Sequence, residues 1–115
     1  MNWKLYLDDI RTPDDPTFMI VRTVNDAQKL IHLLGVPTFI SFDHDLGMDD
    51  EGNLLLSGYD FAKWLVEMDM EGIFTLTEDF DFIVHSQNPV GAKNIREYFR
   101  NYLSFRSQQT QEVSK

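Results

Sequence analysis

The sequence predicts a single-domain, three-layer α/β/α fold: a short, mostly parallel four-stranded sheet, strand order 2-1-3-4, between helices. Three observations lead there. Four short apolar runs alternate with three stretches of helical apolar periodicity along 115 residues, and strands separated by helices imply a parallel sheet with right-handed crossovers. Three of the four runs end in Asp, His or Ser, at the chain positions that parallel strands bring to one rim. The 43% hydrophobic and 13% aromatic content is enough for one packed core.

The elements follow in order. Trp3-Lys4-Leu5-Tyr6-Leu7 reads as the first strand, ended by Asp8-Asp9. Residues 10–16 contain Pro13 and Pro16 and read as a loop, too short for a full crossover helix. Phe18-Met19-Ile20-Val21 is apolar without alternation, which predicts a strand buried on both faces. Asn25 and Gln28 have capping-box spacing for a first helix, with Ala27, Leu30, Ile31 and Leu34 as its apolar stripe and Gly35 and Pro37 as its stop. Thr38-Phe39-Ile40-Ser41-Phe42 is the third strand, ended by Asp43-His44-Asp45-Leu46-Gly47. An acidic loop with Asp49, Asp50 and Glu51 leads to Ser57, a candidate cap for a second helix on Phe61, Trp64, Leu65 and Met68. Phe80-Asp81-Phe82-Ile83-Val84 is the last strand, ended by His85-Ser86. Asn88 and Pro89 suit the cap and first turn of a third helix, whose inner face carries Ile95, Tyr98, Phe99, Tyr102 and Leu103. Residues 1–106 are the expected domain, and 107–115 a polar, flexible tail.

Composition excludes several functions. There is no cysteine, hence no disulfide, thiolate zinc site or cysteine nucleophile. The net charge is -9, which opposes a broad duplex nucleic-acid surface and favours metal cations as ligands. Residues 1–88 hold 17 acids and 5 bases, whereas 89–115 hold 2 acids and 5 bases. The basic side chains of the last helix, Arg96, Arg100 and Arg106, are the one hint of nucleic-acid contact. No apolar run approaches the roughly 18 residues of a membrane span, and Met1-Asn2-Trp3-Lys4 does not open a signal peptide. The expected location is cytoplasmic, with no membrane partner.

The rim concentrates chemistry. Unit charges ~4 Å apart repel by about 4 kcal/mol at an effective dielectric near 20, so clustered carboxylates call for a proton or a cation. Asp8, Asp9, Asp43 and Asp45 are the candidate metal ligands. All-oxygen donors suit Mg²⁺, and Mn²⁺ tolerates a histidine nearby. His44 and His85, with Asp43, are the candidate catalytic groups, the histidines as general base and acid in unassigned order. The start of the third helix offers free backbone N–H groups to an anion. Ser86 and Asn88 add donors, Arg11 a forked guanidinium, and Lys93 another cation. Metal, anion donors and histidine together are the equipment of phosphoryl chemistry. The plainer alternatives are that the acids only end strands, that His85 is a satisfied core histidine, and that Ser86 and Asn88 only cap a helix. His32, on the polar side of the first helix, receives no function.

Three segments carry a resemblance: Leu7-Asp8-Asp9-Ile10-Arg11-Thr12-Pro13, Ser41-Phe42-Asp43-His44-Asp45-Leu46-Gly47, and the run from His85 to Ile95 that includes Asn88, Lys93 and Asn94. Together they resemble the cyclic-phosphate-processing receiver-like family. The resemblance implies a receiver/flavodoxin-like fold in truncated form, an acidic metal pocket at Asp8, Asp9 and Asp43, and Ser86 at the receiver hydroxyl position. It also implies a role in handling cyclic phosphates on nucleotides or RNA ends, with Asn94 among the substrate-binding residues. The chain departs from ordinary receivers in lacking a fifth strand with its lysine, which counts against aspartyl-phosphate signalling. The leading expectation is a metal-dependent phosphoesterase, a hydrolase, acting on a phosphorylated small molecule or an RNA end. The alternatives are a receiver-like module that binds a metal or phospho-ligand without turnover, and an acidic interaction or inhibitor protein. Oligomeric state is not legible in the sequence.

Overall fold

A computed structural model describes residues 2–113, and the side chains of residues 2–108. Four parallel strands, β1 (Lys4–Leu7), β2 (Phe18–Val21), β3 (Phe39–Phe42) and β4 (Asp81–Val84), form one sheet in the order β2-β1-β3-β4. The helices are α1 (Val24–Leu34), α2 (Gly58–Met70) and α3 (Pro89–Val113). This is the receiver-like α/β topology and strand order that the sequence predicts. No helix among the described residues is long and apolar enough to cross a membrane.

The layering differs from expectation. Side chains alternate across a strand, so the register puts Leu5, Leu7, Ile40, Phe42, Phe82 and Val84 on one face. These residues are buried in one core with Ala27 and Ile31 of α1, Phe61 and Leu65 of α2, and Ile95 and Phe99 of α3. Phe42 is the hub, its ring 5.8 Å from Phe61 and 6.0 Å from Phe99. All three helices therefore cover one face, and the molecule has two layers where three were expected. The physical reason lies in the first crossover, which spans the Pro13 and Pro16 loop with no helix to cover the second face. That second face carries Tyr6, Ser41 and Ile83 in one register row.

β2 is correspondingly an edge strand, with Met19 38% and Ile20 39% exposed rather than buried on both sides. An apolar run cannot distinguish an edge whose second face is open from a central strand. The cap of α1 is Thr23, not Asn25: its hydroxyl accepts from the Asp26 N–H at 3.1 Å. The helix begins two residues earlier than expected because Val24 is drawn into the core. α3 runs through the first residues of the expected 107–115 tail as far as Val113; residues 114–115 lie outside the described residues.

Ser57 caps α2 as expected. Its hydroxyl accepts the Asp60 N–H at 3.2 Å, and the Asp60 carboxylate accepts the Ser57 N–H at 2.8 Å, a reciprocal capping box. Ser57→Ala is expected to lower stability by about 1 kcal/mol, read as a lower urea midpoint at unchanged slope. At the far end of α2, Asp69 accepts from Tyr102, from Arg106 and from the Leu76 N–H. This carboxylate ties the 71–80 connection to α2 and α3.

Candidate functional site

The rim at the carboxyl ends of β1, β3 and β4 is continued by hydrogen bonds past the strands. The Asp43 N–H donates to the Leu7 carbonyl at 2.9 Å, and the His85 N–H to the Phe42 carbonyl at 2.9 Å. The first residues after each strand are therefore held in sheet-like register. Asp8, Asp9 and Asp43 converge there, each offering a carboxylate oxygen within 4.8 Å of the other two.

The three acids are held differently. Asp8 is 1% exposed. One oxygen accepts the Ile10 and Arg11 backbone N–H groups, both at 2.8 Å, and the other accepts from His85 Nε2 at 2.9 Å. Burial pushes its carboxyl up, but the Arg11 and Ile10 N–H groups and His85 outweigh burial and hold it below its ordinary value. Asp9 goes the other way: burial first, then the charges of Asp8 and Asp43, push it up. Asp43, 5% exposed, accepts the His44 N–H at 2.8 Å. Two glycines make room for this cluster. A Cβ on Gly47 would sit 3.2 Å from Asp9 Oδ2, and one on Gly58 would sit 1.9 Å from the Asp43 carbonyl oxygen.

Asp45, expected as a fourth metal ligand, is outside this group. Its Oδ1 lies 2.8 Å from His44 Nδ1, and its Oδ2 accepts from Asn88 Nδ2 at 3.2 Å. The hydrogen bond from His44, aided by that from Asn88, holds its carboxyl below the ordinary value. A carboxylate only accepts, so His44 Nδ1 carries the hydrogen, and in the neutral ring Nε2 is the acceptor. His44 Nε2 has no protein partner among the described residues. The ring is braced against α3, where a Cβ on Gly91 would sit 2.4 Å from its Cγ. Adjacent residues on a strand point to opposite sides; here the chain has left β3 and bends at His44, whose carbonyl accepts the Gly58 N–H at 2.8 Å.

His85 is not placed like His44. Its Nε2 meets Asp8 and its Nδ1 meets Ser41 Oγ at 2.7 Å, while its ring stacks on Tyr6 at 4.4 Å and 9°. Both of its nitrogens are hydrogen-bonded within the protein, whereas His44 is held at Nδ1 alone, so the two candidate proton carriers stand in different surroundings. The anion-binding candidates divide as well. Arg11 Nη1 donates to the His85 carbonyl at 3.0 Å with Nε 3.8 Å from Asp8, which holds its guanidinium beside the carboxylate cluster. Ser86 Oγ accepts the Asn88 N–H at 3.1 Å, and Asn88 Oδ1 accepts the Gly91 N–H at 3.0 Å, so both organise the start of α3. Asn94 is exposed on α3, and Lys93 pairs with Glu97 at 3.8 Å on the outer surface.

Tyr6, Ser41, Gly58 and Gly91 are the residues that sequence reasoning missed. Ser41 carried a signal: it is a polar residue inside the apolar run Phe39–Phe42, and a buried polar group needs a partner. The glycines carried none, because their role is a close approach between segments far apart in the chain.

A family model described as the cyclic-phosphate processing receiver domain matches residues 3–101. Searches of curated proteins and of solved structures gave no significant match. The matched span runs from the start of the sheet into α3 and contains every group of the rim. The chain belongs to the cyclic-phosphate processing receiver domain family.

Proposed function

We propose that the protein is a metal-dependent phosphoesterase that opens a cyclic phosphate on a nucleotide or an RNA end. The observation that carries this reading is the pairing, on one rim, of a three-carboxylate cluster with a histidine whose Nδ1 is held by a carboxylate at 2.8 Å. The donor set fits Mg²⁺ or Mn²⁺: three hard oxygen donors, too few for a closed cage, leave positions for water and a phosphate oxygen. Asp8, Asp9 and Asp43 would hold that ion, which when bound supplies neutralisation of charge on the phosphate oxygens.

The chain's own groups do the rest. His44 Nε2 accepts a proton from the attacking water, with Asp45 orienting the ring and steadying the imidazolium. Opening the ring adds one water across one P–O bond. The proton taken up at Nε2 equals the one the leaving oxygen requires, so the reaction balances at that atom. Arg11, beside the carboxylate cluster, supplies a fixed positive charge to the phosphate.

The test is hydrolysis of 2′,3′-cyclic nucleotides, 3′,5′-cyclic nucleotides and cyclic-phosphate-ended RNA, with Mg²⁺ or Mn²⁺ and with EDTA. Turnover abolished by EDTA, and reduced about 10²–10⁴-fold by His44→Ala, is the expected result. No turnover on any substrate removes the reading. Metal binding without turnover favours a receiver-like binding module instead.

A further inference from the structure

We propose that Ser41 is a positioning residue for the candidate cation site, acting through His85 on Asp8. This rests on the reading of Asp8, Asp9 and Asp43 as cation ligands. The observation is a continuous chain: Ser41 Oγ to His85 Nδ1 at 2.7 Å, then His85 Nε2 to Asp8 Oδ2 at 2.9 Å. Ser41 is 2% and Asp8 1% exposed, so neither end can exchange its partner for water cheaply.

Donor and acceptor roles are forced along this chain. The Asp8 carboxylate only accepts, so His85 Nε2 carries the hydrogen. In the neutral ring Nδ1 is then an acceptor, and the Ser41 hydroxyl donates to it. Asp8 thus sets the tautomer, and the Ser41 hydroxyl, free to donate, holds the other end of the ring so that His85 stays on Asp8. Tyr6 fixes the plane of the ring from below, stacked at 4.4 Å and 9°. Because the two backbone N–H groups of Ile10 and Arg11 hold the other Asp8 oxygen, the carboxylate is clamped from both sides. One lone-pair site remains, on the oxygen that meets His85, in a cluster where carboxylate oxygens of Asp8, Asp9 and Asp43 lie within 4.8 Å of one another. Outer hydrogen bonds of this kind orient a ligating carboxylate and tune its affinity.

The same three residue types make a nucleophilic triad in hydrolases, and that role does not fit here. Ser41 is enclosed under Tyr6 and His85, and an electrophile cannot reach its oxygen. The serine hydroxyl serves the histidine rather than the reverse. It lies on the helix-free face of the sheet, one residue before Phe42 turns into the core, so the support of the site comes from the face opposite the helices.

Two measurements on the folded protein test this. The first is the tautomer of His85 from long-range ¹H–¹⁵N NMR of the imidazole. The Nε2–H form is expected in the wild type. The second is Mn²⁺ affinity by EPR titration. Ser41→Ala is expected to stay folded at a lowered Tm, because His85 Nδ1 loses its partner, and to bind about tenfold more weakly, while Ser41→Thr, which keeps the hydroxyl, retains affinity. An Nδ1–H tautomer in the wild type overturns the proposal. So does equal Mn²⁺ binding by wild type and Ser41→Ala, or equal weakening by the Ala and Thr variants. Absence of Mn²⁺ binding by the wild type overturns the cation-site reading itself and takes the proposal with it, which separates the two failures.

Discussion

Asp9→Asn is expected to raise the Tm of the metal-free protein while weakening Mn²⁺ binding about 100-fold. Both signs come from one fact. Asp9 sits with Asp8 and Asp43 within 4.8 Å between ligand atoms, and burial and those two charges push its carboxyl above the ordinary value. A group whose folded pKa is raised contributes stability that is present below its unfolded pKa and is lost as pH rises through the folded pKa. Metal-free wild type should therefore lose stability across a window just above the usual carboxylate range. The amide has no proton to lose and gains no charge, so the loss across that window disappears in Asp9→Asn. Asp8, held below its ordinary value, acts in the opposite sense and at lower pH: its contribution is present above the unfolded pKa and is lost as pH falls through the folded one. With a divalent ion added the preference reverses. Unit charges ~4 Å apart exchange about 4 kcal/mol at an effective dielectric near 20, and water replaces part of a lost ligand. About 3 kcal/mol net corresponds to roughly 100-fold in affinity. Thermal melts with and without Mn²⁺, at pH 5 and 7, check both signs. A variant no more stable than wild type without metal, and equally stabilised with it, would show that the three carboxylates do not act as one site.

Gly58→Ala is expected to destabilise the protein by about 3 kcal/mol and to disturb Asp43. Helix propensity alone predicts the reverse, since alanine is favoured over glycine by about 1 kcal/mol in a helix interior. The tertiary geometry decides the sign. A Cβ at this first residue of α2 would lie 1.9 Å from the Asp43 carbonyl oxygen, 2.9 Å from its carbonyl carbon and 3.3 Å from His44 Cα. All three are backbone atoms, which cannot rotate away as a side chain can. The Gly58 N–H is also committed to the His44 carbonyl at 2.8 Å. Either α2 lifts from the sheet or the Asp43–His44 turn moves, and overpacking of this kind costs up to about 3 kcal/mol, occasionally more. Urea denaturation reads the stability loss, and Mn²⁺ titration of the surviving fold reads the displaced Asp43. Wild-type stability in this variant would mean that α2 and the β3 end are not in the contact described.

The two predictions sit on different levels of legibility. The carboxylate cluster was readable because its members follow strands, and parallel strands end on one side by topology alone. The Gly58 contact was not, because it joins a helix start to a strand end across 15 residues of loop, and a glycine's letter does not say what approaches it. The same division separates the two histidines. Each follows a strand and each is a candidate proton carrier, yet His85 is hydrogen-bonded at both nitrogens and His44 at Nδ1 alone. His85 turns onto the helix-free face, where Tyr6 and Ser41 await it. Asp45 alternated in sequence with Asp43 and so looked like a fellow ligand; the turn after β3 gave it to His44 instead.

What the sequence by itself determined is the set of strands and helices, the order β2-β1-β3-β4 and the convergence of Asp8, Asp9, Asp43 and His44 on one rim. These follow from local periodicity, caps and the handedness of crossovers, which act over short stretches of chain. Only the tertiary structure decided that one sheet face is bare of helices, that His85 lies between Ser41 and Asp8, and that Asp45 meets His44. Those outcomes depend on which hydrogen-bond partners and which few ångströms of space remain once distant segments have packed together.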